Sequence, residues 1–333
     1  VSTYQPPFVI TPLILNQVIE VGELMGHWAA MAGRTSPLLR KENRIRTIQA
    51  SLAIEHNSLT TEQVTALMEG KRILAPAKDI QEVRNAILAY EKMSEWKSEK
   101  LSDLLQAHRV LMLGLVDNPG QLRTGNVGVY REKQLIHMAP PASQVFRLMN
   151  DLLGWLKTTE LHPLIAGAVF HYEFEFIHPF ADGNGRMGRL WQTLILREWR
   201  SELAWLPVET LIHYQQDRYY QVLGQCDRQS SCTPFIEFIL ENIISALQEG
   251  LGKSSALSEE MSEEMSEEMS PDLLDIEKRI LQILSNHPGR SAKSIADECE
   301  LSARTVERYL KALQLKGKLQ RVGATKGGMW RLL

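Results

Sequence analysis

The chain has 333 residues, 44% of them hydrophobic, enough to bury a large core and to hold more than one domain. A net charge of −3 and a pI near 6.4 exclude a global attraction to nucleic acid or to an anionic membrane. No apolar run approaches the roughly 18 residues of a membrane span, and VSTYQPPFVITPLIL has no basic n-region, so the expectation is a cytoplasmic protein without a membrane partner.

Up to about residue 250 the pattern is mainly α. NQVIEVGELMGHWAAMAG spaces its apolar residues three and four apart, as do RTIQASLAIE and RNAILAYEKM. In RTIQASLAIE, Ser51 and Glu55 form an i, i+4 pair on one helix face. VGVYREKQLIHMAPP, from Val127 to Pro141, is the strand-like exception, a short hairpin that Pro140 and Pro141 stop before the helix QVFRLMNDLLGWLK. Cys226, Cys232 and Cys299 form no spaced metal set, and their odd count argues against a disulfide framework.

Residues 253–270 repeat SEEM three times. Six glutamates and recurring serines cannot bury enough apolar surface to fold alone, so 251–270 reads as an acidic linker, a short solvated helix being marginal. The tail differs again. DIEKRILQILSNH, SAKSIADECE and ARTVERYLKALQLKG have helical periodicity, with Ser302 able to cap the third, and KLQRVGATKGGMWRLL has the pattern of a two-stranded ribbon. That order resembles a winged helix-turn-helix module over 271–333. Its twelve Lys and Arg against seven Asp and Glu make it locally basic. Arg304, Arg308 and Lys311 share one face of the third helix, the one such modules put in the major groove.

The chemistry concentrates in HPFADGNGRMGR, His178 to Arg189. LWQTLILREW follows with helical spacing, so the glycines stand at a loop-to-helix junction, where unpaired N–H groups and the positive dipole end attract phosphate. Asp182 offers an oxygen ligand for Mg²⁺, and His178 is the loop's one neutral-pH base. Arg186 and Arg189, three apart, put two bidentate donors on one helix face. These are the parts for moving a phosphorus-centred group onto a hydroxyl.

The same twelve residues resemble the signature of Fic-domain proteins, H-P-F-x-D-G-N-G-R-x-x-R, matching all nine fixed positions. The resemblance implies an all-helical Fic core with a β-hairpin flap at 101–250, preceded by an N-terminal helical region at 1–100. Transfer of AMP from ATP to a protein hydroxyl is that family's commonest activity. By the resemblance His178 is the general base, Asp182 holds Mg²⁺ across the α- and β-phosphates, and Phe180 points into the core. Gly183, Asn184 and Gly185 form the anion hole, Asn184 through its side-chain amide, while Arg186 and Arg189 reach the β- and γ-phosphates. Leu135, Ile136, His137 and Met138 of the flap border the nucleotide and align the target segment. Tyr219 stacks against the adenine, and Asp227 stands where relatives often have an asparagine. His171 and Glu175 orient the loop from within the core.

The resemblance extends to the inhibitory helix of many Fic proteins, Ser/Thr-x-x-x-Glu-Gly/Asn, matched by Ser51 and Glu55 with Asn57 following. His56 replaces the usual glycine or asparagine, which implies some left-handed strain. Glu55 would pair with Arg189 and occupy the place of the γ-phosphate. The partners implied are a target protein bearing a Ser, Thr or Tyr hydroxyl and DNA at 271–333, with room for a homodimer. Two other functions stay open: removal of AMP from a modified protein, and a transcriptional regulator that uses the core as a nucleotide sensor.

Overall fold

The computed structural model of the chain describes residues 4–31, 37–131, 134–268, 271–299, 301, 305–306, 309–310, 313–314, 318–322 and 329–332, some of them through the backbone alone. Two compact units divide after Ser254. The first contains α1 (Pro12–Met31), α2 (Pro37–Ala53), α3 (Thr61–Met68), α4 (Ala77–Lys92), α5 (Leu101–Met112), β1 (Gly128–Arg131), β2 (Gln134–Met138), α6 (Ala142–Thr158), α7 (Pro163–Ile177), α8 (Asn184–Trp199), α9 (Val208–Tyr214) and α10 (Gln216–Gln229). Next come α11 (Thr233–Glu268), α12 (Pro271–Asn286), α13 (Ala292–Cys299), β3 (Leu319–Val322) and β4 (Met329–Leu332). The fold is mainly α, as the spacing of apolar residues predicts.

α7 is the axis of the first unit. Every residue from Leu164 to Phe174 is buried, the signature of a helix enclosed on all sides rather than laid on a surface. α8 packs along it, and α5 and α2 flank α8. Gly188 lets the two central helices approach: a side chain there would stand 2.8 Å from Glu175 Oε1 and 3.0 Å from His171 Cδ2. The helix ends carry local reasons of their own. Thr60 and Gln63 form a capping box at α3, and Pro163 opens α7, where no N–H is needed.

β1 and β2 pair antiparallel, Gly128 opposite Met138 and Arg131 opposite Gln134, with a bulge between Val129 and Tyr130. This is the expected hairpin, and β2 lies against α10. The SEEM repeat, read as an acidic linker in which a helix would be marginal, is helical: α11 continues through it to Glu268. Glutamate and methionine are strong helix formers, so a segment unable to build a core still sustains a helix.

The second unit has its own core, with Ile280, Leu284, Ile295, Val306, Leu310, Leu313, Leu319 and Trp330 buried together. β3 pairs antiparallel with β4. Arg304, Arg308 and Lys311 lie outside the described residues, whereas Val306, Leu310 and Leu313 are buried.

Two buried histidines stand beside the central pair. His171 Nδ1 is 2.5 Å from Gln192 Oε1 and its Nε2 3.2 Å from the Tyr219 hydroxyl. His108 accepts from Gly120 N at Nδ1, 2.8 Å, which leaves Nε2 to donate to the Asp182 carbonyl at 3.0 Å. Both are neutral in the fold, since burial pushes the pKa of His171 from 6.5 to about 3 and that of His108 to about 4. The unfolded chain takes up protons near pH 6.5 that the folded chain refuses. Stability present above pH 6.5 therefore declines as pH falls, until about pH 4 for His108 and pH 3 for His171. At pH 4.5 each should remove about 2–3 kcal/mol. Urea midpoints followed by tryptophan fluorescence from pH 7.5 to 4.5 check this, and His171→Gln should flatten the decline.

Candidate active site

The loop between α7 and α8 is shaped by two left-handed residues. His178 caps α7 at φ 50°, its N–H donating to the Phe174 carbonyl at 2.9 Å. Gly183 caps α8 at φ 84°, a left-handed conformation that favours glycine, and a β-carbon there would come within 2.6 Å of Met112 Sδ. Between them Phe180 is fully buried and stacks on His108, ring centroids 3.6 Å apart and planes 5° apart. Its expected inward direction is what the structure has.

Asn184 plays a different part from the expected one. Its Oδ1 accepts from Phe180 N and its Nδ2 donates to Phe180 O, both at 2.9 Å, and the side chain is buried. The amide is committed to closing the loop on itself instead of facing an anion. The anion-binding capacity lies in the backbone: the first i→i−4 bond of α8 runs from Met187 N to Gly183 O, so the N–H groups of Asn184, Gly185 and Arg186 precede the ladder.

Asp182 is exposed beside that helix end; its Oδ1 accepts from Gly183 N at 2.6 Å and Arg186 Nη2 at 3.2 Å. Arg186 is buried, and its Nη1 pairs with Glu82 Oε1 of α4 at 3.1 Å. Arg189, 2% exposed, pairs through Nη2 with Glu55 Oε1 at 2.7 Å and donates to Ser51 Oγ and O at 3.1 and 2.9 Å. Burial alone would lower the Arg189 pKa, but the adjacent Glu55 charge outweighs it and holds the guanidinium firmly protonated. Thus Ser51, Glu55 and Arg189, 138 residues apart at the extreme, meet in the fold.

Glu55 stands in a tight turn after α2. Asn57 N donates to Leu52 O at 3.1 Å and His56 N to Ala53 O at 3.0 Å, the paired bonds of a Schellman ending. His56 takes the left-handed position at φ 67°, usually glycine's. The carboxylate of Glu55 lies over the start of α8, where a side chain at Gly185 would run into it.

Three supporting residues carry no readable sign in the sequence. His108, Arg123 and Glu82 belong to segments distant from the loop, and only the fold brings them to it. Arg123 is buried and donates to the carbonyls of His178 (2.7 Å), Gly125 (2.9 Å), Pro140 (2.5 Å) and Ile177 (3.2 Å). It ties both roots of the hairpin to the end of α7, where a cation also suits the helix dipole.

Other expectations fare unevenly. Tyr219 is buried among His171, Phe235 and Phe238. Its ring belongs to the core and offers no open face to an adenine; half-buried Tyr220 is its neighbour. Asp227 accepts from the Tyr172 hydroxyl at 2.8 Å. His171 and Glu175 sit beside each other under α8, Nε2 to Oε1 3.9 Å, as expected of core groups. Leu135, Ile136 and His137 are described through the backbone of β2, and Met138 is exposed.

The sequence profile of the Fic/DOC family matches residues 98–196, and one described as winged helix-turn-helix DNA-binding matches residues 273–320. A crystal structure of a Fic family protein from Desulfovibrio desulfuricans G20 is 46% identical, covering 99% of this chain and 98% of that one, with a TM-score of 0.75. The chain belongs to the Fic family, with a C-terminal winged helix-turn-helix domain. A Fic domain containing signaling protein from Bacteroides thetaiotaomicron shares the fold at 19% identity and a TM-score of 0.58, covering 71% of this chain and 97% of that one. Among curated proteins, protein adenylyltransferase Fic of Nematostella vectensis is 30% identical over 214 residues, 60% of this chain and 47% of that protein. The chain spans about half the length of the curated relatives it matches. Among the described residues no helix is long and apolar enough to cross a membrane.

Replacing Arg123 by methionine keeps its bulk and leaves four carbonyls without their charged donor. The expected cost is about 2–4 kcal/mol, with faster proteolytic cleavage within 125–140. Urea denaturation and timed proteolysis of the two proteins measure both.

Proposed function

We propose that the chain is a protein adenylyltransferase that moves AMP from ATP to a Ser, Thr or Tyr hydroxyl of a target protein, and that Glu55 restrains it. The observation that carries this reading is the junction itself: a left-handed histidine, an exposed aspartate and two buried arginines around a helix N-terminus. The names of the curated relatives support the same chemistry.

In this reading His178 takes the proton from the target hydroxyl, whose oxygen forms a bond to the α-phosphorus as the bond to pyrophosphate breaks. The N–H groups that open α8 face the charge on the phosphate oxygens. Arg189 supplies the γ-phosphate contact once Glu55 withdraws, and Arg186 the β-phosphate contact. The site also fits Mg²⁺. That ion commonly takes one or two carboxylates with waters and phosphate oxygens, and Asp182 is an exposed carboxylate at the place where the phosphates would lie. Bound there, Mg²⁺ would neutralise charge on the triphosphate. Gly183, Asn184 and Gly185 show none of the departures that mark phosphate-transferring relatives. The hairpin remains the place where a target segment would add as a strand.

Glu55→Gly should raise AMP transfer at least tenfold over the unaltered protein, and His178→Ala should abolish it in either background. Mass spectrometry after incubation with ATP and Mg²⁺ in cell lysate reads this directly. A folded Glu55→Gly protein that leaves no adduct of AMP mass on itself or any lysate protein would sink the reading.

A second activity, DNA binding by the tail, is favoured by the match of residues 273–320 to a DNA-binding winged helix. The 333-residue chain should bind a random-sequence duplex at low salt, with log K falling linearly in log salt. Arg304→Glu combined with Arg308→Glu should weaken binding at least tenfold. Fluorescence anisotropy checks it, and absence of binding at 50 mM salt would count against it.

A further inference from the structure

The arginine that the transfer reading assigns to the β-phosphate is tied to the latch by a residue outside the family signature. Glu82, on the second turn of α4, is 4% exposed and uses both carboxylate oxygens. Oε1 takes Arg186 Nη1 at 3.1 Å, and Oε2 takes Asn57 Nδ2 at 2.8 Å. Asn57 lies two residues beyond Glu55 in the same turn. Its Nδ2 also donates to the Asp79 carbonyl at 3.1 Å, and its Oδ1 accepts from Leu59 N at 3.0 Å. Ser58 binds the Asp79 carboxylate through N at 3.0 Å and through its hydroxyl. The turn carrying Glu55 is thus seated on the first turns of α4, and Glu82 joins that seat to the catalytic helix.

We propose that Glu82 is a positioning residue with two opposed effects: it holds the latch turn closed through Asn57, and it keeps Arg186 aimed for nucleotide. This rests on reading the loop as an adenylyl-transfer site. The chemistry singles out a carboxylate. Arg186 and Asn57 both donate, and Lys78 Nζ stands 3.9 Å from Oε1, so a group with an acceptor at each end is required, and a glutamine would meet one donor with its NH₂. Glu55 and Glu82 also differ in what nucleotide entry demands. Glu55 occupies Arg189 where, in that reading, an anion must bind, whereas Glu82 takes only Nη1 of Arg186; Nη2 is shared with exposed Asp182, and the buried Nε has no hydrogen-bond partner. Glu55 must leave; Glu82 stays.

The consequence is a change of sign between backgrounds. In the unaltered protein Glu82→Gln loosens the latch turn and should raise AMP transfer about threefold or more. In the Glu55→Gly background no latch remains, and the same substitution should lower transfer at least threefold, chiefly by raising KM for ATP. A merely structural role predicts loss in both, and an effect of the same sign in both overturns the proposal. Asn57→Ala cuts the tie to the turn and spares the Glu82–Arg186 pair. It should raise basal transfer and leave the Glu55→Gly protein unchanged; no rise overturns the proposal even where Glu82→Gln fails to fold. Hydrogen exchange supplies a readout independent of activity. Glu82→Gln should speed exchange both in residues 54–60 and in 184–187, and unchanged protection of 54–60 refutes the coupling. If Glu55→Gly itself forms no adduct, the transfer reading fails, and the exchange data still decide the coupling.

Discussion

A guanidinium buried between helices needs an anion, and much of this structure follows from that need. Arg189 is 2% exposed on α8. Taking such a charge out of water costs several kcal/mol unless a partner and hydrogen bonds replace the water. Here Glu55 supplies the charge and Ser51 two acceptors. In the proposed function a phosphate would satisfy this cation as a carboxylate does, and the two would compete for one positive charge. Glu55 itself is 30% exposed while Arg189 is enclosed.

The loop around this cation is held by groups that do no chemistry. Its two left-handed residues, His178 and Gly183, turn the chain sharply between α7 and α8. Each turn has a support on the inner side: Asn184 clasps Phe180, His108 stacks beneath it and Arg123 gathers the carbonyls at the end of α7. Backbone strain persists where surrounding contacts over-determine it. His56 repeats the theme on the latch side, a left-handed residue without glycine's freedom, kept in place by the Schellman bonds and by Asn57.

What could be read in advance divides along physical lines. The helices and the hairpin follow from apolar spacing, because period and burial act within one segment. Asp182, Arg186 and Arg189 follow from type and spacing at a helix start. Asn184 shows the limit: its identity was legible, but its amide turned to Phe180 because loop closure left both of its polar ends in the interior. Tyr219 shows another, since one tyrosine of an adjacent pair must face the core and spacing alone does not choose which. The SEEM repeat is helical because propensity suffices for a helix even where burial does not.

The sequence by itself determined the family signature, the helical class, the candidate base and candidate phosphate-binding groups of one twelve-residue loop, and a glutamate four residues from a serine. Those are properties of neighbours along the chain. The pairing of Glu55 with Arg189 is already implied by the family resemblance; only the tertiary structure decided that Glu82 occupies Arg186 and that His108 and Arg123 are the supports. The reason is that a buried charge selects its partner by proximity in space. Asp182 reaches Arg186 from four residues away, but Glu82 comes from 104 residues away with no motif to announce it.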